Sequence, residues 1–250
     1  MRGADRIVSL VPSVTHALAA LGAGDRVVGV TDWCTRGVPA GAARVGGTKN
    51  PSLDRVAALA PDAVVVNLEE NRADDVDALA AAGLDLVVTH PRRVEDVAVL
   101  IRRLAGLVGR PDRAEPLLAD LDAARQQARW RRPDRPLAAL TLVWRRPWRG
   151  VGPGTYVDDL LACCGFANVL AGFRDPWPGL DPALVLGPEV VLLPSEPYAF
   201  GEDDVPAVHE LLGAAVPRRF VDGELLTWHG PLTAAALREL SALAADVAAA

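Results

Sequence analysis

Apolar positions along the chain change period repeatedly, and the changes mark out elements. Residues 7–11 form a short apolar run that ends in Pro12-Ser13. Ser13 is placed to cap a helix in which Val14, Ala17, Leu18 and Leu21 recur at helical spacing, and Gly22 and Gly24 end it. Residues 27–30 read as a second buried strand, so the start is a strand–helix–strand unit of the kind that builds parallel sheets. A Gly- and Pro-rich stretch over 31–50 reads as a long loop, and loops of that length are often functional. Helices are expected over 53–59, 73–82 and 94–108, with strands over 63–67 and 84–89.

Residues 111–131 carry one apolar stripe (Leu117, Leu118, Leu121, Ala124, Ala128), expected to form a long, rigid connector helix. Asp112 with Glu115 resembles a capping box, and Pro116 falls in the first turn, where amide donors have no intrahelical acceptor. Beyond it, strands are expected over 137–143, 190–193 and 219–221, and helices over 156–164, 182–186 and 232–249. The organisation read from this is a first α/β lobe over 1–110, a connector over 111–132 and a second α/β lobe over 133–250.

The lobes share a register. LDRVAALAPDAVV at 53–65 and LDPALVLGPEVVL at 180–192 align without gaps at an offset of 127, pairing Pro61 with Pro188, Asp62 with Glu189 and, further on, Glu69 with Glu196. This repeat implies two related parallel-sheet lobes. Ligands of open parallel sheets bind beyond the carboxyl ends of the strands. Two lobes face to face would gather those loops into one cleft.

Composition narrows the function. The chain has 250 residues, 50% hydrophobic and 23% charged, with net charge −6. That is ordinary for a globular protein and disfavours a nucleic-acid partner. Three cysteines make no disulfide framework, and residues 1–13 hold no secretory signal, so the expected location is the cytoplasm, or outside it if the true start lies upstream. Nothing approaches the roughly 20 apolar residues of a membrane helix.

Five of six tryptophans (Trp33, Trp144, Trp148, Trp177, Trp228) fall in expected loops, where they serve either as packing or as a grip on a large planar ligand. His16, Cys34, His90 and His229 lack metal-ligand spacing, but His229 or His16 could reach a metal inside a bound chelate. The acidic runs Glu69-Glu70, Asp74-Asp75 and Glu202-Asp203-Asp204 are either solvated faces or docking patches for a basic partner.

SLVPSVTHALAALG, VGGTKNPSLDRVAALAPDAVVVN, EENR, SEPYAF and LLTWHG-PLT resemble the cobalamin- and siderophore-type substrate-binding proteins of ABC transporters, the helical-backbone metal receptors, and within them the cobalamin-binding branch. The resemblance covers nearly the whole chain. It implies two Rossmann-like lobes joined by one long helix, and no cofactor of the protein's own. The implied ligand is a cobalamin-like corrinoid or another chelate such as haem or a siderophore complex. By position it points to Trp33, Thr48, Asn67, Trp144, Trp148, Trp177, Trp228 and His229 as contacts. It also implies an acidic residue on each lobe that docks a membrane subunit. The first such position falls on Ala73, which moves the role to Asp74 and Asp75, and the second falls on Glu202, Asp203 and Asp204. His16 stands where the family has Glu, and His229 where the branch has Tyr. A monomer is expected. The alternative of another class is a cytosolic enzyme acting on a metal cofactor, with Cys34 as nucleophile and His16 or His229 as base.

Overall fold

The computed structural model describes residues 3–181 and 187–249. The helix expected over 182–186 lies outside them. The chain divides into two compact units. The first holds the residues up to Pro91, then Glu95–Asp120 and His229–Pro231; the second holds Arg92–Val94, Leu121–Trp228 and the residues from Leu232 on.

In the first unit the order is β1 (Ile7–Ser9), α1 (Pro12–Ala20), β2 (Val27–Val30), β3 (Ala43–Arg44), α2 (Leu53–Ala58), β4 (Ala63–Asn67), α3 (Ala73–Ala81), β5 (Leu86–Thr89) and α4 (Val94–Leu107). The sheet runs β3-β2-β1-β4-β5, and every pairing is parallel. β4 lies inside the sheet, between β1 and β5, and its AVVVN side chains are all buried. Such a β-branched run without polar alternation belongs to a strand covered on both faces. Val94, Val97, Leu100, Ile101, Leu104 and Val108 of α4 and its end are buried at helical spacing.

α1 begins two residues earlier than expected. Val11 holds the cap position with no side-chain bond and Pro12 opens the helix, so Ser13 lies inside the first turn with its hydroxyl available for other contacts. Proline fits there because its missing N–H has no intrahelical acceptor to lose. The connector also differs at its start. Pro111–Arg113 forms a 3₁₀ turn without a side-chain cap, and α5 proper spans Ala114–Arg131. Ala114, Leu118, Leu121, Ala124 and Ala128 are its buried stripe.

The second unit continues with β6 (Leu137–Arg145), β7 (Trp148–Gly150), α6 (Tyr156–Cys164), β8 (Phe166–Asn168), β9 (Val190–Pro194), α7 (Val205–Leu212), β10 (Arg218–Val221), α8 (Gly223–Thr227) and α9 (Leu232–Ala249). Its sheet runs β10-β9-β6-β7, with β8 beside the start of β6. All pairs are parallel except the β6–β7 hairpin. Leu140, Leu142, Val191 and Leu193 form its core together with Val208 and Leu211 of α7.

The repeat is visible atom by atom. In the first unit Asp62 donates its N–H to the Arg6 carbonyl at 2.7 Å, and its carboxylate accepts the N–H groups of Asp5 and Arg6 at 2.9 and 2.8 Å. In the second, Glu189 donates to the Ala138 carbonyl at 2.7 Å and accepts the Ala138 N–H at 2.9 Å. Each acidic residue precedes a strand inside its sheet and clamps the start of its neighbour. The 127-residue register thus reflects one structural device used twice.

Candidate functional site

The carboxyl ends of the first unit's strands carry a polar, tightly bonded loop set. The hydroxyl of Thr89 donates to the Val66 carbonyl at 2.8 Å, and the Asn67 side-chain oxygen accepts the Glu69 N–H at 2.8 Å. Asn71 accepts the Asn67 N–H at 2.8 Å and donates to the carbonyls of Leu10 and Thr48 at 3.2 and 3.0 Å. Asn67 and Asn71 are both buried, so they shape this edge, while Thr48 is half-buried beside them. Trp33 and Leu68 stand out from it, 66% and 56% exposed.

His229 packs with the same unit. It is buried, its Nε2 sits 3.3 Å from the Ser13 Oγ, and burial pushes its pKa down to about 4, with the charge of His90 acting in the same direction. His16 is half-buried on α1. Cys34 is fully buried, with its sulfur 3.2 Å from the Thr15 hydroxyl and 3.1 Å from that of Thr31. A thiol sealed between two threonines departs from the nucleophile expected of Cys34. Among the described residues no group of three or more His, Cys, Asp or Glu side chains could hold a metal ion.

The corresponding end of the second unit is aromatic. Trp144 closes β6 and Trp148 opens β7, so both belong to the hairpin instead of a loop. Trp144 meets Tyr198 edge-on, with centroids 5.8 Å apart. Trp148 lies parallel to Phe200 at 6.4 Å, and Tyr198 tilts onto Phe200 at 4.6 Å. The Arg145 guanidinium sits 5.9 Å over the Trp148 ring. A cavity of about 240 Å³ opens between hairpin and helix, lined by Arg145, Arg146, Trp148, Ala207, Glu210 and Leu211. Trp177 is half-buried in its loop, and its carbonyl accepts from Arg149 at 2.7 Å.

Trp228 is buried, and its indole N–H donates to the Glu196 carboxylate at 2.8 Å. The Thr227 hydroxyl donates to the same oxygen at 3.0 Å. Burial raises the Glu196 pKa against these bonds. Gly223 allows this packing, because a Cβ there would collide with Glu196.

The two acidic patches differ. Asp74 is exposed and 3.5 Å from Arg72, and Asp75 is half-buried with one carboxylate oxygen unbonded. Glu202 and Asp203 are exposed, with Glu202 2.8 Å from Arg218. Asp204 is a correction. It is buried and accepts from Arg145, from the Tyr198 hydroxyl at 3.2 Å and from the Gly201 N–H at 2.9 Å, so it anchors the aromatic shelf and presents no charge for docking. Arg145, Tyr198 and Phe200 are not among the residues that the sequence offers as contacts, and Ser13 is offered only as a helix cap. For Tyr198 and Phe200, the motif SEPYAF after β9 carried the signal.

Comparisons place the chain among known proteins. The family described as "Periplasmic binding protein" matches residues 7–181. A vitamin B12-binding protein of Yersinia pestis (strain Pestoides F) is 25% identical over 201 residues, 77% of this chain and 70% of that one. The periplasmic heme-binding protein RhuT from Roseiflexus sp. RS-1 superimposes with TM-score 0.81 at 28% identity, over 98% of this chain and 100% of that one. The periplasmic vitamin B12 binding protein BtuF of Vibrio cholerae does so with TM-score 0.85 at 20% identity, over 100% and 99%.

These likenesses overturn the cytoplasmic placement, since proteins of this kind work outside the cytoplasm. An export leader is cleaved and takes no part in the fold, so the residues that build the lobes hold no record of compartment. No helix among the described residues is long and apolar enough to cross a membrane. With two α/β units, parallel sheets and a family match over most of its length, the chain belongs to the periplasmic binding protein family, whose members bind substrates.

Proposed function

We propose that the protein captures a cobalamin-like corrinoid for ABC-type uptake, acting as a monomeric binding protein and not as an enzyme. The observation that carries this is the aromatic shelf of Trp144, Tyr198, Phe200 and Trp148 at the strand ends of the second unit. Large rigid rings around a few polar groups suit a broad conjugated ligand with little ordering cost. The names of the curated relatives support the corrinoid. Haem is the second reading, favoured by the 28% identity to a heme-binding protein against 20% for BtuF.

The lobes are taken as 1–110 and 133–250 with a connector over 111–132. The ligand engages strand-end loops of each: Trp33, Thr48, Asn67 and His229 on the first, and Trp144, Trp148, Trp177 and Trp228 on the second. His229 and His16 are the sequence candidates for contact with the chelated metal. Asp74, Asp75, Glu202 and Asp203 are the docking groups for basic residues of a membrane subunit.

The test is calorimetric titration of the purified protein with hydroxocobalamin, haemin and a ferric siderophore. Micromolar or tighter binding of hydroxocobalamin, above the other two, supports the reading. Preference for haemin moves it to the second. Binding of none of the three overturns both.

A further inference from the structure

We infer that the imidazole which meets the chelate's metal is His90, oriented by Glu69, and not His229 or His16. The inference rests on the proposed chelate-binding role and names the group that touches the metal. His229 is 6% exposed and its Nε2 faces Ser13, so that nitrogen is turned to the protein interior. His90 stands at the surface of the same edge, immediately after β5.

Three features mark it out. First, its Nε2 is 3.3 Å from a Glu69 carboxylate oxygen, with both side chains about one-third exposed (35% and 34%). Histidines that bind metals commonly donate the other ring N–H to a carboxylate, which fixes the tautomer and raises the basicity of the coordinating nitrogen. With Nε2 donating to Glu69, Nδ1 keeps its lone pair, and no described residue bonds to it. Either imidazole nitrogen can serve as a ligand.

Second, the backbone that carries the pair is tied in place. The Glu69 N–H donates to Asn67 at 2.8 Å and its carbonyl accepts from Lys49 at 2.5 Å. The Leu68 N–H donates to the Thr89 carbonyl at 3.1 Å, which carries the β4–β5 pairing on to the chain neighbours of Glu69 and His90. Pro91 confines the backbone of His90 to extended conformations. A ligand group locked by its neighbours binds with little loss of freedom.

Third, the repeat places a carboxylate at the equivalent point of the second unit, where Glu196 holds the Trp228 indole N–H. The same device thus orients a ring in each unit, and in the first the ring is one that can coordinate. Leu68, next to Glu69 and bonded through its backbone to Thr89, is 56% exposed, so the same edge also presents apolar surface.

The experiment is a spectral titration of haemin and hydroxocobalamin into wild type, His90→Gly and His229→Phe, with tryptophan fluorescence read in parallel. Wild type and His229→Phe are expected to give histidine-ligated absorption bands. His90→Gly is expected to quench fluorescence with those bands absent, and to regain them when imidazole is added. Glu69→Gln should keep the bands but lose roughly 10- to 100-fold in affinity, the usual effect of removing an orienting partner. Identical bound spectra from wild type and His90→Gly overturn the inference while leaving the binding role intact. No quenching of wild type by either chelate overturns the binding role and the inference together. Circular dichroism of each variant, with the imidazole rescue, separates lost coordination from lost folding.

Discussion

The indole N–H of Trp228 and the carboxylate of Glu196, 2.8 Å apart, tie the end of α8 to the end of β9. Trp228 is the last residue of its segment to pack with the second unit, since His229–Pro231 packs with the first. The bond therefore fixes the chain at the point where it leaves one unit. Glu196 also accepts from Thr227, so one half-buried oxygen serves two donors.

Removing that oxygen should cost stability. Glu196→Leu takes this acceptor from the indole of buried Trp228, a loss of about 1–3 kcal/mol for a buried donor, while the Thr227 hydroxyl keeps the Gly223 carbonyl at 2.9 Å. Glu196→Gln keeps an acceptor and should lose less. Urea denaturation of the two variants checks this; equal midpoints for Glu196→Leu and wild type would contradict it.

The aromatic shelf should govern affinity. Trp148→Ala removes the ring that lies on Phe200 and under Arg145, and Trp144→Ala removes the partner of Tyr198. Each truncation is expected to weaken hydroxocobalamin binding by about 2 kcal/mol, roughly 30-fold. Trp130, 87% exposed on α5, is the control, and Trp130→Ala should leave affinity unchanged. Calorimetry reads all three.

His229 makes stability depend on pH. Its folded pKa is depressed to about 4, whereas an unfolded histidine titrates near 6.5. Between those values the unfolded chain holds the extra proton. The contribution of His229 is therefore complete above about pH 6.5 and is lost progressively as pH falls toward 4. Thermal unfolding of wild type and His229→Phe from pH 7.5 to 4.5 should show a gap that narrows on acidification. A constant gap would show that the imidazole is not buried neutral.

Docking and folding should separate among the acidic residues of the two patches. Glu202→Lys and Asp74→Lys are exposed charge reversals, and they should reduce ligand uptake through the membrane subunit while leaving chelate affinity unchanged. Asp204→Asn should instead lower the unfolding midpoint, because it strips the carboxylate from Arg145 and Tyr198. Transport in reconstituted vesicles, paired with thermal unfolding, distinguishes the two behaviours.

What could be read from the chain follows from the range of the forces involved. The five buried residues of β4, the stripe of α5 and the Asp62–Glu189 register are written in local periodicity, and each occurs in the structure. β3, with two residues, and β7, with three, carry too little pattern to be seen; they exist because β2 and β6 offer unpaired edges. α7 and α8 were also missed, and Leu211 and Leu226 bury only because the sheet and its helices supply the opposite surface.

The same division holds at the candidate site. Composition points to the tryptophans as large rings near strand ends, but the loop position expected of Trp144 and Trp148 is replaced by the β6–β7 hairpin. Residue type alone could not tell that Asp204 is neutralised by Arg145, that Cys34 is sealed by Thr15 and Thr31, or that His90 rather than His229 stands open beside a carboxylate. Those outcomes join residues 3 to 59 positions apart, and they set burial and charge, which a side chain acquires only from its neighbours in space. Sequence by itself determined the α/β repeat and the kind of surface it exposes. Only the tertiary structure decided which acids, thiols and imidazoles remain available for chemistry, because availability is a property of packing.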